Sequence, residues 1–360
     1  MSHSRTRYFL LGSAAVLVGG LAVGTAAYMA GFSTSAFASQ AGPDDLALVP
    51  AGAAVVAYAN VHDVMQSEFR QRLTAAMDSK SEGRLKFQEA TGIDIERDID
   101  SVVAAAVPNG SGSGHDFGFV ALRGRFDTTR IEELVSSKGG RLDEYRGARL
   151  LLPPARSDAP DDTTPDTEVP QARHDGPPAI ALVDANLVIV GTLDAVKSAI
   201  DRHQDQGASI LADGEFVRML ENLESHSTMW AIGRSSVLMG DKSDLPDQVA
   251  SKLPGVKWVA ASGYVNGGLR ATLQAEANDD EAARNLRDIV QGALAIARLQ
   301  VDGKPELAPL LQGLQVEGTG TSVAVRVAMP AELIDVIFSQ VHGHAARQLD
   351  GTDGATRAEE

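Results

Sequence analysis

The chain has no cysteine. That excludes disulfides, thiol catalysis, thiolate metal sites and a lipidated N-terminal cysteine. Aromatic residues make up only 5%, so a core must be built from Ala, Val, Leu and Ile. There is no basic cluster to serve as a footprint for nucleic acid. The formal net charge of −16 repels phosphate backbones and anionic lipid at long range. Nucleic acid is therefore excluded as a partner. Chemical signatures are missing too. There is no H-E-x-x-H, no G-x-x-x-x-G-K, no G-x-G-x-x-G between strand and helix, and no S-x-x-K.

What is present starts at the N-terminus. Arg5 and Arg7 precede an apolar run from Phe9 to Ala30. Positive charge ahead of such a run keeps the N-terminus in the cytoplasm and sends the rest outside. Ala36-Phe37-Ala38 then offers the small-x-small pattern of a signal-peptidase site. The length of the run suits a single-helix membrane anchor, whereas the Ala-x-Ala site suits cleavage after Ala38. Residues 1–38 are read as one or the other, and 39–360 as extracytoplasmic, in the periplasm or on the outer face of the cytoplasmic membrane. Without Arg5 and Arg7 the remainder carries −18.

Beyond this segment the pattern is α+β. Leu269 to Ala277 alternates apolar and polar, and Val323, Val325 and Val327 share one face. Such alternation indicates antiparallel strands with one wet face and one face covered by helices. Leu187-Val188-Ile189-Val190 is apolar throughout and suits a central strand. The stretch 279–301 reads as a helix with Leu286, Ile289, Val290, Ala293, Leu294 and Ala297 on one stripe, capped by Asn278 with Glu281 three residues on. Another helix is expected over 331–341 after Pro330, with Leu333, Ile334, Ile337 and Val341 inward.

Two pairs of segments look like copies. Val56–Met65 matches Trp230–Met239, and Val188–Asp201 matches Arg326–Ser339. The second match pairs Ile189 with Val327, Val196 with Ile334 and Ile200 with Phe338. The expectation is two related halves, 44–206 and 213–345, with mostly antiparallel sheets. Segment 153–178 has seven prolines and six acids and almost no large apolar side chain. It reads as a disordered acidic insertion, and 346–360 as a disordered tail. Ordering costs roughly 1–2 kcal/mol per residue, which this composition cannot offset. Replacing 153–178 by a short Gly-Ser bridge is thus expected to leave the melting temperature within about 10 °C, the span of a few kcal/mol. A larger drop would mean that the segment packs on the domain.

The strand after Pro50-Ala51-Gly52, together with Thr91-Gly92-Ile93-Asp94 and Asp98-Ile99-Asp100 ahead of another strand, resembles a family of exported bacterial proteins of unknown function with duplicated α+β units. That resemblance implies no activity and no site residues.

Several groups invite chemistry and are read as structural. Asp94, Glu96, Asp98 and Asp100 alternate, but Ile99 stands where a calcium loop needs glycine. They are expected to form an acidic turn. Gly110 to Gly114 has glycine, not serine, at its middle. His115-Asp116 and His174-Asp175 are neighbours only in sequence, and His342 and His344 flank a glycine at a helix end. Gly318-Thr319-Gly320 reads as a hairpin turn, and Trp230 and Trp258 as core residues. No catalytic, cofactor-binding or metal-ligating residue is assigned, and no cofactor is expected. The chain is read as an exported, non-catalytic binding or structural protein of the bacterial cell envelope, its partner an envelope protein. The alternative is a periplasmic carrier of an apolar ligand such as a lipid.

Overall fold

The computed structural model describes residues 43–68, 70, 87–89, 91–107, 117–152, 178–204, 207–224, 227–238, 255–265, 268–301 and 313–330. Helix α1 (Pro43–Ala47) precedes β1 (Val55–Asn60), α2 (Val61–Gln66) and the one-turn α3 (Ile95–Asp98). Strands β2 (Ile99–Val107) and β3 (Phe117–Gly124) lead to α4 (Thr128–Ser137). A meander of β4 (Arg141–Tyr145), β5 (Ala148–Leu152), β6 (Ala179–Leu182) and β7 (Leu187–Gly191) ends in α5 (Leu193–His203). A 3-10 turn at Ile210–Ala212 and α6 (Gly214–Glu221) connect to β8 (Met229–Arg234) and α7 (Ser235–Leu238). Then follow β9 (Val256–Val265), β10 (Gly268–Ala277), the long α8 (Asp280–Val301), β11 (Leu314–Glu317) and β12 (Ser322–Pro330).

The architecture is α+β, and its strands form one sheet in the order β11-β12-β10-β9-β8-β1-β2-β3-β7-β6-β5-β4. Every pairing is antiparallel. Strands β1 and β8 meet at its centre, with Ala57 opposite Ala231. Their burial alternates identically, residue for residue, from Val55 and Met229 onward. The expected helix at 331–341, residues 153–177 of the insertion expected over 153–178, the expected tail at 346–360 and residues 1–38 lie outside the described residues.

Two expectations need correction. First, the strands of the N-terminal part are covered on both faces. Leu187 and Ile189 point into a core with Ala195, Val196, Ala199 and Ile200 of α5 and Phe216 of α6. Val188 points the other way, toward Phe126, Ile131 of α4 and Leu182. A strand apolar at every position can be buried on both sides, and β7 is such a strand. Around β10 and β12 the two faces differ in chemistry, one aliphatic and one mostly polar. There α8 packs Ala282, Ala283 and Leu286 against Val323 and Ala277, while Thr272, Glu276 and Arg326 face away.

Second, Ile189 and Val327 do not occupy matching places. Cross-strand neighbours share a face, and the face alternates along a strand. Ile189 lies in the row Ala121, Val103, Tyr58, Trp230, Ser262, Thr272, Arg326. Val327 lies in the neighbouring row with Ala271, Gly263, Met229, Ala59, Val102, Leu122 and Val188. The two therefore face opposite sides of the sheet. The partners proposed for Val196 and Ile200, Ile334 and Phe338, lie outside the described residues.

The sheet is tight enough in places to demand glycine. A Cβ on Gly124 would sit 1.9 Å from the Asp98 carbonyl oxygen, where β2 and β3 shift register. Backbone cannot yield as a flexible side chain can. Gly124→Ala is expected to cost about 2–3 kcal/mol, the upper range for overpacking, measured by urea unfolding. A cost under about 0.5 kcal/mol, typical of an open surface position, would show that the strands can part there.

Candidate binding surface on the last described helix and strands

The acidic run forms a turn. Asp94 Oδ1 accepts from the Glu96 amide at 3.0 Å, and Asp98 Oδ2 accepts from the Asp94 amide at 2.8 Å. Glu96 pairs with Arg70. Gly318-Thr319-Gly320 turns the β11–β12 hairpin, with both glycines at positive φ (115° and 57°), where L-residues are disfavoured. Trp230 and Trp258 are core residues, each 2% exposed. Gly110 to Gly114, His115-Asp116, His174-Asp175, His342 and His344 lie outside the described residues. Among the described residues no group of three His, Asp or Glu could hold a metal ion.

The buried polar groups nearly all answer one another. Asp45 of α1 is buried and pairs with Arg123 of β3. Burial pushes the nearby Tyr58 phenol well above its ordinary value, and the Asp45 carboxylate adds to this, while a hydrogen bond with Ser101 opposes it. Arg234 lies 4.3 Å over the Trp258 ring and pairs with Asp213 at 2.6 Å. Trp258 Nε1 donates to Glu215 Oε2 at 3.2 Å. These contacts hold α1, α6 and the sheet together.

A different arrangement occurs on α8. Its cap is Asp279, not Asn278: Asp279 Oδ1 accepts from the Ala282 amide at 2.8 Å. The expected single stripe is split. Ala283 and Leu286 are buried, and Val290, Leu294 and Ala297 are half-buried. Ile289 and Ala293 are exposed instead, and the line continues through Ile296 and Leu299. Exposure is 43% at Ile289, 56% at Ile296 and 74% at Leu299. At 100° per residue the buried and exposed lines are centred roughly a third of a turn apart. One sheet can cover only the first.

The other flank of α8 borders the sheet edge. Gln291, Leu294 and Arg298 line a groove of about 570 Å³ with Leu314, Gln315, Val316 and Glu317 of β11. Among the described residues strand β11 is terminal in the sheet. Glu317 is held by Arg326 at 3.0 Å, and Arg298 makes no ion pair among the described residues.

No family model, curated protein or solved structure matches this chain. What the surface can do must therefore be argued from the residues themselves. It offers exposed aliphatic side chains in a row, next to a groove whose arginine, Arg298, has no ion pair among the described residues. Nothing in it resembles a nucleophile with a base. Sequence reasoning missed Ile296, Leu299 and Arg298. The signal was the spacing of Ile289, Ala293 and Ile296, which continues a second apolar line past the first. No helix among the described residues is long and apolar enough to cross a membrane.

Proposed function

We propose that this protein is an exported, non-catalytic binding protein of the bacterial cell envelope, and that it contacts an envelope protein through the exposed face of α8. The observation that carries the reading is the row Ile289, Ile296, Leu299. These are three of the five large apolar residues exposed among the described ones. Scattered surface leucines need no explanation, but an apolar row on one helix marks a contact site. Location rests on Arg5, Arg7, the run Phe9–Ala30 and Ala36-Phe37-Ala38, in keeping with the resemblance to exported bacterial proteins. A carrier of an apolar ligand would need an enclosed apolar cavity of several hundred Å³. The groove beside β11 is open at the sheet edge, and Gln291, Arg298, Gln315 and Glu317 share its lining. The binding reading is therefore preferred.

The strand orders support two related halves within this reading. The series β1-β2-β3-β7-β6 and β8-β9-β10-β12-β11 run outward from the centre in the same way. Counting from Tyr58 and from Ile232 gives Val103, Ala121, Ile189 and Ala260, Gln274, Ala324. In that alignment Ile189 corresponds to Ala324, three residues before Val327.

A C-terminal reporter fusion should be active only outside the cytoplasm, and intact mass separates the cleaved form from the anchored one. Ile296→Glu/Leu299→Glu should fold with stability changed by about 0.5 kcal/mol or less, as exposed substitutions do, and should lose the envelope partner in crosslinked pull-downs. Cytoplasmic reporter activity, or an undiminished partner, would overturn the proposal.

A further inference from the structure

We infer that the groove between α8 and β11 takes an extended peptide, added as a strand to the sheet edge, with a peptide carboxylate on Arg298. The inference rests on the reading of this chain as a binding protein and names the partner's chemistry.

The first ground is the backbone of β11. The Ala328 amide donates to the Gly313 carbonyl at 3.2 Å, and these residues lie in register with Leu314 opposite Val327. In an antiparallel pair, hydrogen-bonded and non-hydrogen-bonded pairs alternate. Gly313, Gln315 and Glu317 therefore bond inward to β12. Leu314 and Val316 turn their amides and carbonyls outward, beyond the last strand of the sheet among the described residues. That is the row of donors and acceptors on which an extended segment adds.

The second ground is the difference between the two edges. Strand β4 carries Arg141, Asp143 and Glu144, all exposed, and charge along an edge discourages added strands. Strand β11 carries one charge, Glu317, and Arg326 engages it.

The third ground is the wall beside β11. Leu294, Leu314 and Val316 supply apolar contact for one side chain of the added strand, and Arg298 stands in the same groove. A guanidinium with no partner among the described residues selects a carboxylate, here the C-terminal one of the added peptide. Leu314 and Val316 give main-chain affinity, and the groove gives selectivity.

The test uses the exported chain, residues 39–360, and two pools of N-acetylated pentapeptides, one with free C-terminal carboxylates and one amidated. NMR shifts of Leu314, Val316, Leu294 and Arg298 report occupancy. The free-carboxylate pool should bind about tenfold more tightly than the amidated one, the value of one charge-assisted contact. Arg298→Gln should equalise the pools. Val316→Pro should abolish both responses by removing an outward amide, at a site where edge strands tolerate proline. If Val316→Pro fails to fold, Leu294→Trp fills the groove and should give the same loss. No response to either pool overturns the inference. So does binding that survives both variants, or a carboxylate preference that survives Arg298→Gln. A partner still bound through Ile296 and Leu299 would show that the inference failed alone.

Discussion

Replacing Trp230 by alanine is expected to remove about 3–5 kcal/mol of folding stability, the range for buried aromatic truncation. Trp230 is 2% exposed and stacks on Tyr58 across β1–β8, with ring centroids 5.9 Å apart. Phe216 of α6 closes on it at 6.3 Å. The core to which it belongs runs from Leu46 to Ala260 and so draws on both sides of the β1–β8 seam. Calorimetry should therefore show one shared transition moving down, not one of two transitions. Trp230→Phe makes a sharper test. The Trp230 Nε1 is buried without an acceptor among the described residues, and an unmet donor has a desolvation cost of about 1–3 kcal/mol. Phenylalanine keeps most of the ring and removes that donor, so its cost should be under half that of alanine. An alanine cost below about 1 kcal/mol, typical of the surface, would contradict the packing described.

Asp45→Asn should cost about 2–3 kcal/mol. It breaks the pair with Arg123 while leaving the guanidinium two-thirds covered by the fold, at 32% side-chain exposure. Breaking a buried pair costs about 3–5 kcal/mol, and the partial exposure of Arg123 lowers the figure. The double variant Asp45→Asn/Arg123→Met should recover at least half of the loss, because the uncompensated charge has gone. Urea midpoints of the four proteins give the coupling. If the double variant is as unstable as the sum of the singles, the pair does not act as a unit.

The α+β class, the antiparallel pairing and the Gly318–Gly320 turn were legible because each rests on local chemistry. Alternation around Leu269 and positive φ at Gly318 are decided within a few residues. The relative phase of the segments expected to be copies was not legible. A likeness of strand and helix character survives a shift by an odd number of residues, yet such a shift turns Val327 to the opposite face from Ile189. The exposed line on α8 was hidden for a related reason. Ile289 and Ala293 follow the same 3–4 spacing as Leu286 and Val290, and only the position of the sheet decides which line is covered. The cap was misplaced by one residue because Asn278 and Asp279 are both capping types.

The absence of cysteine makes the central claim directly measurable. A single Leu299→Cys in the full-length chain can carry a short photocrosslinker in intact cells, with Glu133→Cys, an exposed position on α4, as the control. The account expects one discrete adduct from position 299, lost when Ile296→Glu is added, and none from position 133. Equal labelling from both positions, or no adduct from 299, would contradict a contact surface on α8.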